Sequence, residues 1–263
     1  MHETDPSAPP SRHLLMLEVR AVAELSAFFS MAPMLRTMPR GDGHPVLVLP
    51  GLSASDNSTR PLRAFLEDRG YASHGWKLGN NFGPRPGVEA RMQERLAELH
   101  ARHGRKVSLV GWSLGGVFAR EMARRAPEQV RSVITLGSPF AGQPRASNAW
   151  RLYESASGRK VEDWPQRERM KTPPPVPATA IFSRSDGIVA WQGCLERESP
   201  TTENIEVEGS HCGLGHNPVV LYAIADRLAQ AEGRWRKFER TRLRKLIYPD
   251  PYRDRDRDGR AAA

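Results

Sequence analysis

Ser113 stands in the box Gly111-Trp112-Ser113-Leu114-Gly115. An apolar run (Val107, Leu109, Val110) precedes the box, and a stretch with helical spacing (Val117, Phe118, Met122) follows it. A serine hydroxyl is a weak nucleophile at neutral pH. It attacks a carbonyl only when a neighbouring base takes its proton and an acid orients that base. A strand, a sharp turn and a helix together expose such a serine at the strand's carboxyl end, and small residues at 111 and 115 let the strand and helix approach. Two later segments carry the missing groups. Asp186 follows the apolar run Thr179–Phe182 in Ser183-Arg184-Ser185-Asp186-Gly187, and His211 follows Ile205–Val207 in Gly209-Ser210-His211-Cys212-Gly213. Each lies just past a strand end. Together the three residue types make a nucleophile, a general base and an orienting acid for acyl transfer through a covalent intermediate.

Other side chains compete for these roles. His216 also precedes the last helical stretch, in Gly215-His216-Asn217-Pro218, and is the rival base, but its position reads rather as that of a satisfied histidine at a helix entry. Asp163 is the rival acid, but it sits in an irregular stretch. His44, just before the first core strand, reads as structural, and Met31, Met34 and Met38 read as flexible packing. No His, Cys, Asp and Glu cluster has metal-ligand spacing, so no metal and no cofactor is expected. The two cysteines, Cys194 and Cys212, form neither a disulfide scaffold nor a zinc site; reduced thiols are the expectation, with a bridge as the alternative.

The elements that must position these groups follow from periodicity. Leu15, Val19, Val22, Leu25 and Phe29 recur at helical spacing, which predicts an amphipathic helix over 13–31 that packs on the domain, with membrane-surface contact as the alternative. A continuous apolar strand runs from His44 to Leu49. A helix follows over 58–69, a strand over 71–76, and a helix over 87–103 with Val88, Met92, Leu96 and Leu99 on one face. After the Ser113 strand and helix come a strand over 130–136, a strand over 178–183, a short helix near 190–196, a strand over 204–207 and a helix over 218–231. Residues 139–177 break this rhythm with Pro, Ser, Arg and Trp and little periodicity. Strands alternating with helices, the strands apolar on both faces, imply a mostly parallel sheet covered on both sides.

The motifs LPGL (49–52), LVGWSLGGVFAR (109–120), TLGSPF (135–140), SRSDGIV (183–189) and GSHCGLGHNP (209–218) resemble those of the α/β-hydrolase superfamily, in particular bacterial lipase/esterase-like serine hydrolases. The order Ser113, Asp186, His211 is the order of that fold. The resemblance covers about 44–232. It implies an α/β-hydrolase fold with Ser113 as nucleophile, His211 as base and then acid, and Asp186 as the group that holds the His211 tautomer. It also implies an oxyanion hole made by the backbone N–H of Leu114 and a second one from the loop after the first core strand, Leu52 or its neighbour Ser53, with Leu52 preferred. Pro50-Gly51 stands where many lipases carry His-Gly, and a backbone donor does not need that histidine. The insertion at about 143–177 falls where this fold carries a cap or lid, and Trp112, Trp150 and Trp164 are the candidate pocket walls.

The organisation expected is therefore a tail and amphipathic helix (1–43, with 1–12 disordered), a hydrolase domain (44–232) and a basic tail (233–263). Arg234 to Arg260 holds eleven Lys/Arg against five Asp/Glu, which is most of the net charge of +9. The charge thus belongs to an appendage, and a nucleic-acid-binding fold is not expected. The tail reads as a surface-packed helix, with peripheral membrane contact on anionic lipid as the alternative, and the run at 253–258 reads as disordered. No transmembrane run is present, and Glu3 and Asp5 oppose a secretory leader, so the expected location is cytoplasmic, membrane-associated if the tail binds lipid. The function expected is hydrolysis of a small-molecule or lipid ester. Acyl transfer or thioester hydrolysis on the same residues, and a silent hydrolase fold serving as a binding module, are the alternatives; the sequence leaves the oligomeric state open.

Overall fold

The apolar runs of the sequence become six parallel strands, and the segments between them cover the two faces of the resulting sheet. The computed structural model describes residues 7–163 and 167–253; residues 1–6, Trp164 and the Arg-Asp run beyond 253 lie outside the described residues. The chain enters through α1 (Arg12–Met16), a 3₁₀ turn (Leu17–Arg20), α2 (Ala21–Ser30) and α3 (Ala32–Leu35). Then come β1 (Pro45–Leu49), α4 (Arg60–Asp68), β2 (Ala72–Gly75), α5 (Val88–His103), β3 (Val107–Trp112), α6 (Leu114–Arg125) and β4 (Val130–Leu136). The insertion holds α7 (Trp150–Ser157) and α8 (Arg167–Met170); β5 (Ala178–Phe182), β6 (Thr202–Glu206), α9 (Pro218–Leu228) and α10 (Arg244–Ile247) follow. The strand order is β2-β1-β3-β4-β5-β6. The winding direction reverses between β1 and β3, and their carboxyl ends therefore open a crevice where parallel sheets bind ligands.

Successive residues of a strand point to opposite faces, so each apolar run serves two cores. Leu47, Leu49, Val107 and Leu109 pack with α5 and α6, while Val46, Val48, Val110 and Trp112 pack with α4 and α9. α5 buries Met92, Leu96 and Leu99 and is bounded by Gly87 and Gly104, both in the left-handed conformation. Asn217 caps α9, its side chain accepting from the Val219 N–H at 2.9 Å, and Pro218 opens the helix.

Four expectations are modified. The entry helix is interrupted by the 3₁₀ turn, and it docks with the opposite face from the one its periodicity suggests: Val19, Val22 and Phe29 are 72%, 68% and 65% exposed, while Glu18, Arg20 and Glu24 face the domain. The loops beneath it present backbone polar groups, and burying those without partners would cost more than exposing a few apolar side chains. The insertion is partly helical; among the residues of α7 only Tyr153 is buried, which leaves no apolar stripe to read. The short helix near 190–196 is a 3₁₀ turn, Trp191–Cys194. Among the described residues of the basic tail only α10 is helical, although Phe238 and Tyr248 do pack against the core beside α9, and the Tyr248 hydroxyl donates to the Val219 carbonyl at 2.8 Å.

At the amino ends of the strands, His44 joins three elements. Its Nδ1 lies 2.5 Å from Asp42 Oδ1 and its Nε2 lies 2.8 Å from Ser108 Oγ on β3, which in turn lies 3.2 Å from Ser132 Oγ on β4. Cys194 is buried, Cys212 is exposed, and both are free thiols.

Candidate active site

The turn between β3 and α6 holds Ser113 at φ 53°, ψ −121°, a conformation that a side-chain-bearing residue rarely adopts. Glycines two positions away on either side let the turn pack tightly. A Cβ on Gly111 would lie 2.3 Å from the Gly116 Cα, and one on Gly115 would lie 2.3 Å from the Leu49 carbonyl oxygen. Strand and helix therefore pack backbone to backbone, and strain is stored at the one residue that must project its hydroxyl. The Ser113 N–H donates to the Leu136 carbonyl at 2.8 Å, tying the turn to the end of β4.

Asp186 and His211 meet as their loop positions suggest. Asp186 Oδ2 lies 2.6 Å from His211 Nδ1, and its other oxygen accepts the N–H groups of Ile188 and Val189, each at 2.8 Å. The carboxylate is thereby fixed with one oxygen aimed at the imidazole. Burial alone would push the His211 pKa down; the charge and hydrogen bond of Asp186, with a smaller contribution from Glu18, outweigh it and raise the imidazole above its ordinary value. Asp163 lies exposed in the insertion. His216 Nε2 lies 3.1 Å from the Ala21 carbonyl of α2, burial lowers its pKa, and its ring packs edge-on to Trp112.

Ser113 separates two cavities. One, of about 100 Å³, lies beneath the insertion and is bounded by Leu52, Leu114, Phe140, Trp150, Tyr153 and Met170. The other, of about 380 Å³, contains His211 and is bounded by Ala54, Trp112, Leu152 and Ile188. No hydrogen bond joins Ser113 to His211 among the described residues, an arrangement common before a substrate tightens the site. Trp150 thus lines the smaller cavity. Trp112 touches the larger one but is nearly buried, and its indole N–H donates to the His211 carbonyl at 3.0 Å. The third tryptophan, Trp164, lies outside the described residues.

Leu114 opens α6, where the first N–H groups have no partner within the helix. Of the two candidates after β1, the Ser53 N–H donates to the Asn81 carbonyl at 2.7 Å, which leaves Leu52 beside Ser113. Asn81 is a residue that sequence reasoning passed over. It is fully buried; its side-chain amide donates to the Pro50 carbonyl at 2.8 Å, and its N–H donates to the Ala54 carbonyl at 2.8 Å. The turn-forming cluster Gly79-Asn80-Asn81 was its only sequence signal. Glu18 and Glu24 were passed over as well, because an amphipathic pattern directs attention to the apolar face. Among the described residues no group of three His, Cys, Asp or Glu side chains is placed to hold a metal ion.

The parallel sheet, its strand order and the placement of this cleft are those of the α/β-hydrolase fold. A family model described as palmitoyl protein thioesterase matches residues 45–173, a little under half of the chain. The chain is 28% identical over 110 residues to a pimeloyl-[acyl-carrier protein] methyl ester esterase of Shewanella woodyi, covering 42% of each protein. It is 28% identical over 138 residues to a triacylglycerol lipase of Burkholderia plantarii, covering 49% of this chain and 38% of the lipase. The matches thus span less than half the length of these curated relatives. A lipase of Bacillus licheniformis in its mature form shares the fold with a TM-score of 0.57 at 17% identity, over 74% of this chain and 95% of that one. No described helix is long and apolar enough to cross a membrane.

Proposed function

We propose that the chain hydrolyses carboxylic esters of apolar acyl groups through an acyl-enzyme on Ser113. His211 Nε2 takes the Ser113 proton as Oγ bonds to the ester carbonyl carbon, and the carbonyl oxygen becomes an oxyanion facing the N–H groups of Leu114 and Leu52. The carbon–oxygen bond of the leaving alcohol then breaks, and the alcohol departs with the proton from His211. Water attacks the acyl-enzyme, giving its proton to His211; the acid leaves, and the proton returns to Ser113. Asp186 holds the Nδ1 proton and stabilises the imidazolium at each stage.

The observation that carries this reading is the placement of Ser113, strained and half-buried, between an apolar cavity and a cavity holding a carboxylate-paired histidine. The apolar cavity suits the acyl chain. The His211 cavity suits the leaving alcohol, which must be protonated there. The test is hydrolysis of p-nitrophenyl esters from acetate to palmitate by wild type and Ser113→Ala, with fluorophosphonate labelling of both. Activity and labelling of the wild type, each lost in the variant, are expected; a folded wild type that neither hydrolyses nor labels would sink the reading. The same residues suit a thioester, a reading favoured by the palmitoyl protein thioesterase match. Comparing kcat/KM on an acyl thioester and the oxygen ester of the same chain decides between them.

A further inference from the structure

The N-terminal segment lies upstream of residues 45–173, which the family model matches, and it binds both loops of the candidate site. The Glu18 carboxylate accepts the N–H of Gly187 from the acid loop at 2.8 Å, and the N–H groups of His211 and Cys212 from the histidine loop, each at 2.9 Å. Arg20 spans the same two loops, donating to the carbonyls of Ser185 at 2.5 Å and Gly209 at 3.0 Å, and the loops also meet directly, Ser183 Oγ accepting the Gly209 N–H at 3.3 Å and Ser185 Oγ donating to Glu208 Oε2 at 3.0 Å. Glu24 completes the contact, accepting from the Ser210 N–H at 2.8 Å and its hydroxyl at 2.6 Å. One flat run of helix thus meets loop donors with carboxylates and loop acceptors with a guanidinium.

We propose that Glu18 is a positioning residue for the reaction: it fixes the distance between the Asp186 and His211 loops, and it places a second negative charge beside the imidazolium that forms during turnover. The proposal rests on the hydrolase reading above. The three N–H donors lower the Glu18 pKa although burial opposes them, so the group is an anion at neutral pH. The elements around His211 bring Asp186 from the acid loop, Cys212 and Glu208 from its own loop, and Glu18, Arg20 and Glu24 from the N-terminal segment. Glu18 is the one of the last three whose carboxylate bonds the His211 backbone itself. A loop displaced by a fraction of an ångström moves Nε2 away from Ser113, and errors on the scale of 1 Å cost about 100-fold in rate.

The test uses the full chain with Glu18→Gln, which keeps size and an acceptor oxygen but loses the charge, and Glu18→Asp, which keeps the charge on a shorter reach. Both are checked for fold by circular dichroism. For Glu18→Gln we expect kcat on a p-nitrophenyl ester to fall about 10- to 100-fold with little change in KM. The acid limb of kcat/KM should move to lower pH, because losing a nearby negative charge makes the imidazole easier to deprotonate. Glu18→Asp should leave that limb near its wild-type position while kcat still falls. The His211 titration is also followed by NMR, assigned with His211→Gln, so the proposal is tested even without turnover. Wild-type kcat with an unmoved His211 titration in folded Glu18→Gln overturns the positioning role. A wild type that fails to hydrolyse or label overturns the hydrolase reading instead, while a shifted His211 titration would still support the electrostatic contact.

Discussion

A serine, a histidine and an aspartate gather near each end of strand β3. At its carboxyl end are Ser113, His211 and Asp186; at its amino end are Ser108, His44 and Asp42. The second set is the more tightly bonded, with Nδ1 at 2.5 Å from its acid and Nε2 at 2.8 Å from its serine. Yet it is ill suited to catalysis. His44 and Ser108 are 0% and 1% exposed, Ser108 lies within a regular strand, and its hydroxyl is shared with Ser132. The electrostatics differ too. Burial is the main cause that holds the His44 pKa down to about 4, the Asp42 bond opposing it and the charges of Arg131 and Arg105 adding to it. His211 is held above its ordinary value. A base that must carry a proton in the transition state needs the second environment; a histidine that pins three strands together needs only the first. The residue types and the acid–imidazole distances are nearly the same, so access, backbone strain and the stability of the imidazolium distinguish the two ends.

The largest effect expected is kinetic. Ser113→Ala should lower hydrolysis by about six orders of magnitude, the scale set by removing a triad serine. Ser108→Ala should leave kcat/KM within about twofold; a loss of activity in folded Ser108→Ala would break the contrast. The next effect concerns pH and has opposite signs at the two ends. His44 has a folded pKa near 4 against an ordinary value of 6.5, so the unfolded chain binds the extra proton, and stability falls as pH drops through that window, by about 3 kcal/mol. His211 has a raised folded pKa, so its contribution is full below the unfolded value and is lost as pH rises through the folded one. Urea unfolding across pH 4 to 8 should therefore show a flatter acid side for His44→Gln and a flatter alkaline side for His211→Gln, each relative to wild type. Identical pH profiles for both variants would remove the electrostatic half of the comparison. The smallest effect is at the amino end, where Ser132→Ala should cost about 1 kcal/mol in unfolding free energy, the size of one hydrogen bond, with no change in kcat.

Much of this was legible before the structure. The Ser113 turn, the loop positions of Asp186 and His211, and each of the six strands follow from local periodicity and from glycines that admit close packing. The residues that were missed act across the chain. Asn81 falls in the stretch between the 71–76 strand and the 87–103 helix that periodicity leaves unassigned, although its side chain holds the loop that presents Leu52. Glu18 and Glu24 look like the solvated side of an amphipathic helix, and periodicity cannot say that the loops they would meet are richer in unpaired backbone groups than in apolar surface. The inverted docking of α2 is a competition between two buried faces, and only one of them is written in the helix itself.

The three bonds that Glu18 makes close chain separations of 169, 193 and 194 residues. Ring closures of that length are slow and entropically costly, whereas the neighbouring strand pairings around β1, β2 and β3 are far more local. The site is therefore expected to be completed after the sheet. During synthesis all six strands precede the histidine loop, and the N-terminal 3₁₀ turn must wait for most of the chain before Glu18 has its partners. On warming, the same contacts are expected to release first, so that activity fades before the sheet melts; loss of activity coinciding with loss of circular dichroism would rule out that sequence of events.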